Sequence, residues 1–159
     1  MPGESKKNAT RSVATNRKAS FAYHILEKFE AGIVLTGTEV KSLRTGHAGL
    51  AECFGRVKNG EIFLHGMHIP PYEAGNIRNH DPYRERKILL HRRQMTQLAA
   101  KVRERGFTLV PLSVYFKDGF AKVEIALAKG KSHFDKREAI RGRAAKEEAA
   151  RELGTRRER

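Results

Sequence analysis

Glu52-Cys53-Phe54-Gly55-Arg56-Val57-Lys58-Asn59-Gly60-Glu61-Ile62-Phe63-Leu64-His65-Gly66-Met67 is the stretch that decides the fold class. Two runs flank Asn59-Gly60, and Asn-Gly supplies the two positive φ angles of a type I′ turn. The spacing predicts a β-hairpin joining residues 52–58 to residues 61–67. Downstream, residues 109–116 and 120–127 flank Lys117-Asp118-Gly119 and predict a second hairpin. Its second strand aims Val123, Ile125 and Leu127 one way and Lys122 and Glu124 the other. Pro111 lacks an N–H, which points to an edge or a bulge at the start of the first strand. Upstream, Phe21, Tyr23 and Ile25 alternate with smaller or polar residues, and Ile33-Val34-Leu35 follows Gly32. Residues 20–36 therefore read as strands, with a turn at Phe29-Glu30-Ala31-Gly32.

Helical signals are fewer. Residues 38–44 predict a short helix capped by Thr38, with Val40 and Leu43 on one face and Gly46 after its end. Met95, Leu98, Ala99 and Val102 follow the i, i+3, i+4, i+7 rule, with Gly106 as the stop. Residues 70–86 are loop-like, with Pro70-Pro71, Gly75, Asn76 and Asp81-Pro82. About six strands and two or three helices in this order predict a mainly β fold. It is a small antiparallel OB-like β-barrel with two to three peripheral helices and a basic C-terminal tail, rather than a parallel α/β domain.

The 159 residues suit one domain plus extensions. Lys and Arg number 32 against 18 Asp and Glu, for a net charge of +14. That excess is spread along the chain: +4 over residues 1–18, +5 over 19–128 and +5 over 129–159. Charge of this size draws polyanions, so nucleic acid, anionic membrane and acidic proteins are the candidate partners. No apolar run approaches the roughly 18 residues that span a bilayer. Residues 1–18 lack the apolar stretch of a signal peptide. The single cysteine, Cys53, forms no internal disulfide. The expectation is a cytoplasmic protein with no membrane partner.

Three segments follow. Residues 1–18 are polar and aperiodic and predict a flexible basic arm that orders on a partner. Residues 19–129 are expected to form an OB-like core whose excess of basic residues suits binding RNA. Residues 130–159 are a basic tail; beyond Phe134 their only large apolar residues are Ile140 and Leu153. Asp135 and Glu138 have capping-box spacing, and Glu147 and Arg151 form a favourable i, i+4 pair. With no continuous apolar face, the tail is expected to be disordered when free and helical on its partner.

Chemical motifs are mostly excluded. His65 and His68 are the closest histidine pair, but odd spacing on a strand sends them to opposite faces, and no further ligands lie nearby in sequence. Gly130-Lys131-Ser132 ends like a phosphate-binding loop, yet the glycine that motif needs five residues earlier is Ile125. No triad or paired-carboxylate signature is present, and Cys53 reads as a small apolar strand residue. Neither an enzyme nor a metal or cofactor site is expected. Glu30 is more informative, because a carboxylate on a basic surface accepts hydrogen bonds from base amino or imino groups. Its bland alternative is a solvated turn residue. Arg84-Glu85-Arg86-Lys87 and His91-Arg92-Arg93 read as solvated basic faces. Phe21, Tyr23 and Phe134 have rings that stack on bases, but strand aromatics more often belong to a core.

Several blocks together resemble one family. They are Asn16-Arg17-Lys18-Ala19; Phe29-Glu30-Ala31-Gly32-Ile33-Val34-Leu35-Thr36-Gly37-Thr38-Glu39-Val40-Lys41-Ser42-Leu43-Arg44; Arg86-Lys87-Ile88-Leu89-Leu90; Leu109-Val110-Pro111-Leu112; Ala128-Lys129-Gly130-Lys131; and Asp135-Lys136-Arg137-Glu138. Over roughly residues 13–141 the chain resembles the small protein B (SmpB) family, the SsrA-binding proteins of bacterial trans-translation. The resemblance implies binding to the elbow of the tRNA-like domain of transfer-messenger RNA (tmRNA). Entry into the empty A site of a stalled ribosome follows, with elongation factor Tu and GTP carrying the alanyl-tmRNA. It implies that the tail lies in the small-subunit decoding centre and vacant mRNA channel, so that the stalled peptide is tagged and the ribosome freed.

By position, Asn16, Glu30 and Leu89 match residues implicated in tmRNA recognition, with Arg17 and Lys18 beside Asn16 and Lys122 as an addition. Gly130, Lys131, Asp135, Lys136 and Arg137 match the tail elements used on the ribosome. Family members often carry Arg-His where this chain has Ser20-Phe21. Many also carry a tail tryptophan, which this chain lacks; Gly142-Arg143-Ala144-Ala145 occupies that region. The rival readings are a general OB-like RNA chaperone or ribosome-associated RNA-binding protein, and a hydrolytic enzyme acting on RNA.

Overall fold

The computed structural model describes residues 10–74, 79–103, 107–131 and 133–157. The first hairpin forms as β3 (Phe54–Lys58) and β4 (Glu61–His65). Asn59 and Gly60 take φ angles of 53° and 74°, the left-handed pair that a type I′ turn requires. Ile62 and Leu64 are fully buried while Glu61, Phe63 and His65 are half-buried, so period-2 alternation decides which face meets the core. The second hairpin joins β6 (Phe107–Lys117) to β7 (Phe120–Gly130). Lys117 pairs with Phe120, which leaves Asp118 (φ 52°) and Gly119 (φ 83°) as the turn and returns Lys117 to the strand. Pro111 sits where the register shifts, so its missing N–H falls at a bulge. The strand is not an edge: β7 runs along one side of it, and other strands take the opposite side.

Those other strands include β1 (Thr10–Thr15), which pairs antiparallel with residues 113–117 of β6. This part of the arm expected over residues 1–18 therefore lies in the sheet. The strands at residues 20–36 also differ from expectation. Phe21 lies in a four-residue helix, α1 (Ala19–Ala22), and a single strand, β2 (Tyr23–Ile33), follows. The turn expected at Phe29–Gly32 is absent: these four residues pair with Ile125, Glu124, Val123 and Lys122 of β7. Gly32 serves a close approach instead, since a Cβ there would lie 3.3 Å from the Leu89 Cβ. The irregularity falls earlier, between Ile25 and Glu27, where Leu26 is the extra residue and is exposed.

Helix α2 (Gly37–Thr45) has Thr36 rather than Thr38 as its N-cap. Thr36 is extended, and its N–H donates to Glu39 Oε1 at 2.9 Å. Gly46 ends the helix, as expected, with its N–H donating to Ser42 and Leu43 carbonyls. The basic run at residues 84–87 contains β5 (Arg86–Leu89), and α3 (Arg92–Val102) follows. In α3, Leu98 is fully buried and Met95, Ala99 and Val102 are half-buried. The stop assigned to Gly106 lies outside the described residues.

All pairings are antiparallel, and β3, β4, β5, β2, β7 and β6 neighbour one another in that order. The pairing of β6 with β7 and of β3 with β6 closes them into a ring, with β1 added outside β6. This is the OB-like architecture. Closure is narrow at β3, where Gly55 pairs with Leu109; a Cβ on Gly55 would lie 2.8 Å from the Leu109 Cβ. Leu43, Ile62, Leu64, Ile88, Leu109 and Ile125 help fill the interior. A smaller cluster of Val110, Ala126 and Ala128 lies under Tyr23, Ile25 and Leu112. For that reason β7 loses its apolar-in, polar-out alternation beyond Ile125.

A buried ion pair sits inside this frame. Glu39 and Arg86 are both fully buried, and Arg86 Nε donates to Glu39 Oε2. Arg86 Nη1 donates to the Met67 carbonyl at 2.7 Å and Nη2 to Pro82 at 3.2 Å. Arg84 Nη2 reaches Glu39 Oε1 at 2.6 Å and the Val34 carbonyl at 3.1 Å. The solvated-face reading of residues 84–87 therefore fails at Arg86. Burial pushes the Glu39 carboxyl up, but donors from Thr36, Arg84 and Arg86 outweigh it and hold the group below its ordinary value.

After β7 the chain enters one long helix, α4 (His133–Arg157). Arg137, Ile140 and residues 141–151 are exposed. Among the described residues, no helix is long and apolar enough to cross a membrane.

Candidate nucleic-acid interface

The register of the ring lines up outward residues from separate strands. Leu89 of β5 faces Gly32 of β2, Gly32 faces Lys122 of β7, and Lys122 faces Tyr115 of β6. The adjoining row runs from Glu30 through Glu124 to Ser113. On the other side, Lys117 faces Phe120. Because alternate residues share a face, Glu30, Leu89 and Lys122 stand on one outer surface with Tyr115, Lys117 and Phe120. Leu89 is 51% exposed and Phe120 71%.

Glu30 is exposed yet held. The Tyr115 hydroxyl donates to its Oε2. Lys117 Nζ donates to its Oε1 at 3.3 Å. Both donors come from β6 and reach across β7. The Tyr115 hydrogen bond is the main reason that the Glu30 carboxyl lies below its ordinary value; desolvation opposes it, and Lys117 and then Lys122 add to the lowering. Burial chiefly, and the Glu30 carboxylate next, push the Tyr115 phenol up. The result is an ionised acceptor flanked by cations, beside an exposed leucine. Such a surface can take donors from base edges, pack an unstacked base and meet phosphates. Nothing in the sequence pairs Glu30 with Tyr115, 85 residues away; the available signal was that Tyr115 and Lys117 share one face of a strand.

Asn16 stands apart from that surface, just after β1. Its N–H donates to the Leu112 carbonyl at 2.7 Å. Its Nδ2 donates to Leu50 at 3.2 Å and Pro111 at 3.1 Å. Both side-chain donors are thus occupied internally. Arg17 and Lys18 follow and are exposed. Gly130 pairs with Tyr23 at the far end of β7. Lys131 ties the root of the tail to α1: its N–H donates to Ala22 at 2.9 Å and its Nζ to the Ser20 carbonyl at 3.0 Å. Asp135, Lys136 and Arg137 lie in the first turns of α4, and the side chains of Asp135 and Lys136 lie outside the described residues.

The remaining candidates have structural partners. His65 stacks on Phe54 with centroids 5.4 Å apart, and its Nε2 lies 3.2 Å from Glu85. His68 packs on Tyr83 at 4.8 Å. Among the described residues, no group of three His, Cys, Asp or Glu side chains could hold a metal ion. Cys53 is buried, and burial pushes its thiol up to about 12, which suits packing rather than nucleophilic attack.

Comparisons with known proteins agree on one family. Residues 13–155 match the family model described as SmpB protein. The SsrA-binding protein of Acidothermus cellulolyticus is 54% identical over 151 residues, covering 95% of each chain. That of Carboxydothermus hydrogenoformans is 56% identical over 141 residues, covering 89% of this chain and 92% of the relative. A solved structure described as "tmRNA-SmpB: a journey to the center of the bacterial ribosome" contains a chain 48% identical. It superposes with a TM-score of 0.66 over 82% of this chain and 95% of that one. With about half its residues shared with its relatives across nearly its whole length, and a backbone that superposes on a solved relative, this chain belongs to the SmpB family.

Proposed function

We propose that this protein binds tmRNA and works in trans-translation, rescuing stalled ribosomes in the cytoplasm without catalysis of its own. The observation that carries this reading is the convergence of Glu30, Leu89 and Lys122 from three strands on one outward face, in a chain of the SmpB family. On this reading Glu30 accepts from base amino or imino groups of the tRNA-like domain, Leu89 packs on an unstacked base, and Lys122 neutralises phosphate. Asn16 offers its Oδ1 and fixes the chain so that Arg17 and Lys18 meet the RNA backbone. The α4 tail, through Asp135, Lys136 and Arg137, enters the decoding centre and empty mRNA channel as a helix. Elongation factor Tu with GTP delivers the complex.

Glu30→Ala tests the assignment. Loss of a charged acceptor is expected to weaken tmRNA binding roughly ten- to hundredfold, with the thermal midpoint unchanged because the side chain is exposed. Titration of tmRNA at physiological salt reads the effect. Wild-type affinity in the variant would remove Glu30 from the interface.

A further inference from the structure

We infer that Tyr115, assisted by Lys117, is a positioning residue for tmRNA recognition: it fixes the Glu30 carboxylate so that its free lone pairs face the RNA. The inference rests on the assignment of Glu30 to the RNA-binding face and adds the residue that makes that carboxylate usable. A free glutamate side chain on a strand rotates among several rotamers, and holding it upon binding costs entropy. Here the cost is met before the RNA arrives. The Tyr115 hydroxyl donates to Oε2 and the Lys117 ammonium to Oε1.

An ionised carboxylate offers about four lone-pair sites. Two donors from β6 therefore leave acceptor capacity on an exposed group. The geometry is unusual for a sheet, because the partners are not on neighbouring strands. Glu30 is on β2 and Tyr115 on β6, and their side chains meet over β7, between Lys122 and Glu124. The aromatic ring of Tyr115 is long enough to span that gap and rigid enough to hold the oxygen in place. Lys117 alone would supply charge without fixed direction.

The groups facing Glu30 are Tyr115 and Lys117 from β6 and Lys122 and Glu124 from β7, with Lys28 two residues away on β2 and 4.0 Å from Glu124. Removing the phenol hydroxyl leaves Lys117, Lys122 and Glu124 unchanged. The Tyr115 hydrogen bond lowers the Glu30 pKa. Without it that value rises, so the carboxylate takes up its proton earlier as pH falls.

The experiment is a double-mutant cycle on the full chain: wild type, Tyr115→Phe, Glu30→Ala and the double variant, each titrated with tmRNA at fixed salt. Tyr115→Phe keeps the ring and is expected to weaken binding roughly tenfold at pH 7. In the Glu30→Ala background the same change is expected to have almost no effect. As pH falls through about 4.5 and below, Tyr115→Phe is expected to lose affinity at higher pH than wild type, and Glu30→Ala is expected to lack that component. Wild-type affinity in Tyr115→Phe, while Glu30→Ala binds weakly, would overturn the positioning role and leave the Glu30 assignment standing. A Tyr115→Phe loss equally large without Glu30, or a pH profile matching wild type, would overturn it too, since a purely structural role acts that way. Wild-type affinity in Glu30→Ala would instead overturn the underlying assignment.

Discussion

Glu39→Ala is expected to destabilise the fold by about 3–5 kcal/mol, the usual result of removing one partner from a buried ion pair. Arg86 is fully buried, and without Glu39 its guanidinium keeps only the carbonyls of Met67 and Pro82 and a long contact to Asp81. Thr36 at the start of α2 loses its acceptor, and Arg84 its main partner. Three pieces of chain come apart together: the α2 N-terminus, the 81–85 loop and the first residue of β5. Urea unfolding measures the loss. A surface pair is the control. Lys87 and Glu61 meet at 2.7 Å but are both more than a third exposed, so Lys87→Ala is expected to change stability by under about 1 kcal/mol. The pH dependence has a definite sign. The folded Glu39 carboxyl lies below its unfolded value. Its contribution is complete above the unfolded carboxylate range, about pH 4, and fades as pH falls through the lower folded value. Stability of Glu39→Gln should accordingly depend less steeply on pH in that acid range than wild type.

Deleting residues 132–159 is expected to abolish peptide tagging on stalled ribosomes while retaining most tmRNA affinity. The cut belongs after Lys131. Gly130 pairs with Tyr23, and Lys131 hydrogen-bonds to Ala22 and Ser20, so both belong to the folded core. The segment removed carries exposed residues through 141–151 and lies beyond β7, whereas Glu30, Leu89 and Lys122 stay on the ring. Filter binding with tmRNA and a reconstituted tagging reaction separate the two activities. Loss of most tmRNA affinity upon this deletion would make the tail the main RNA site.

Local chemistry made much of the fold legible. Asn59-Gly60 and Asp118-Gly119 specify turns over two residues, and Ile62, Leu64, Val123 and Ile125 specify a face over a few more. The failures came from contacts distant in sequence. Gly32 looks like a turn glycine until Leu89 is brought against it from β5. Thr38 and Thr36 are equally good caps on paper; Glu39 selects Thr36 because Arg84 and Arg86 already hold its carboxylate in place. Arg86 hides in a basic run that reads as a surface, and only a buried acid 47 residues away brings it inside. The site followed the same division. The family blocks pointed to Glu30, Leu89 and Asn16 by position, with Lys122 an addition from outside them. They gave no hint that the Asn16 amide donors would be occupied within the fold, or that Tyr115 and Lys117 would hold Glu30.

The most direct test of tmRNA as the dedicated partner is competition at physiological salt. Labelled tmRNA bound to the full-length protein is challenged with unlabelled tmRNA or with an unstructured RNA of equal length, which carries the same phosphate charge. The face built by Glu30, Leu89 and Lys122 predicts displacement by tmRNA at near-stoichiometric amounts and little displacement by a large excess of the unstructured RNA. Equal displacement by the two would contradict it and leave only a basic protein that binds RNA by charge.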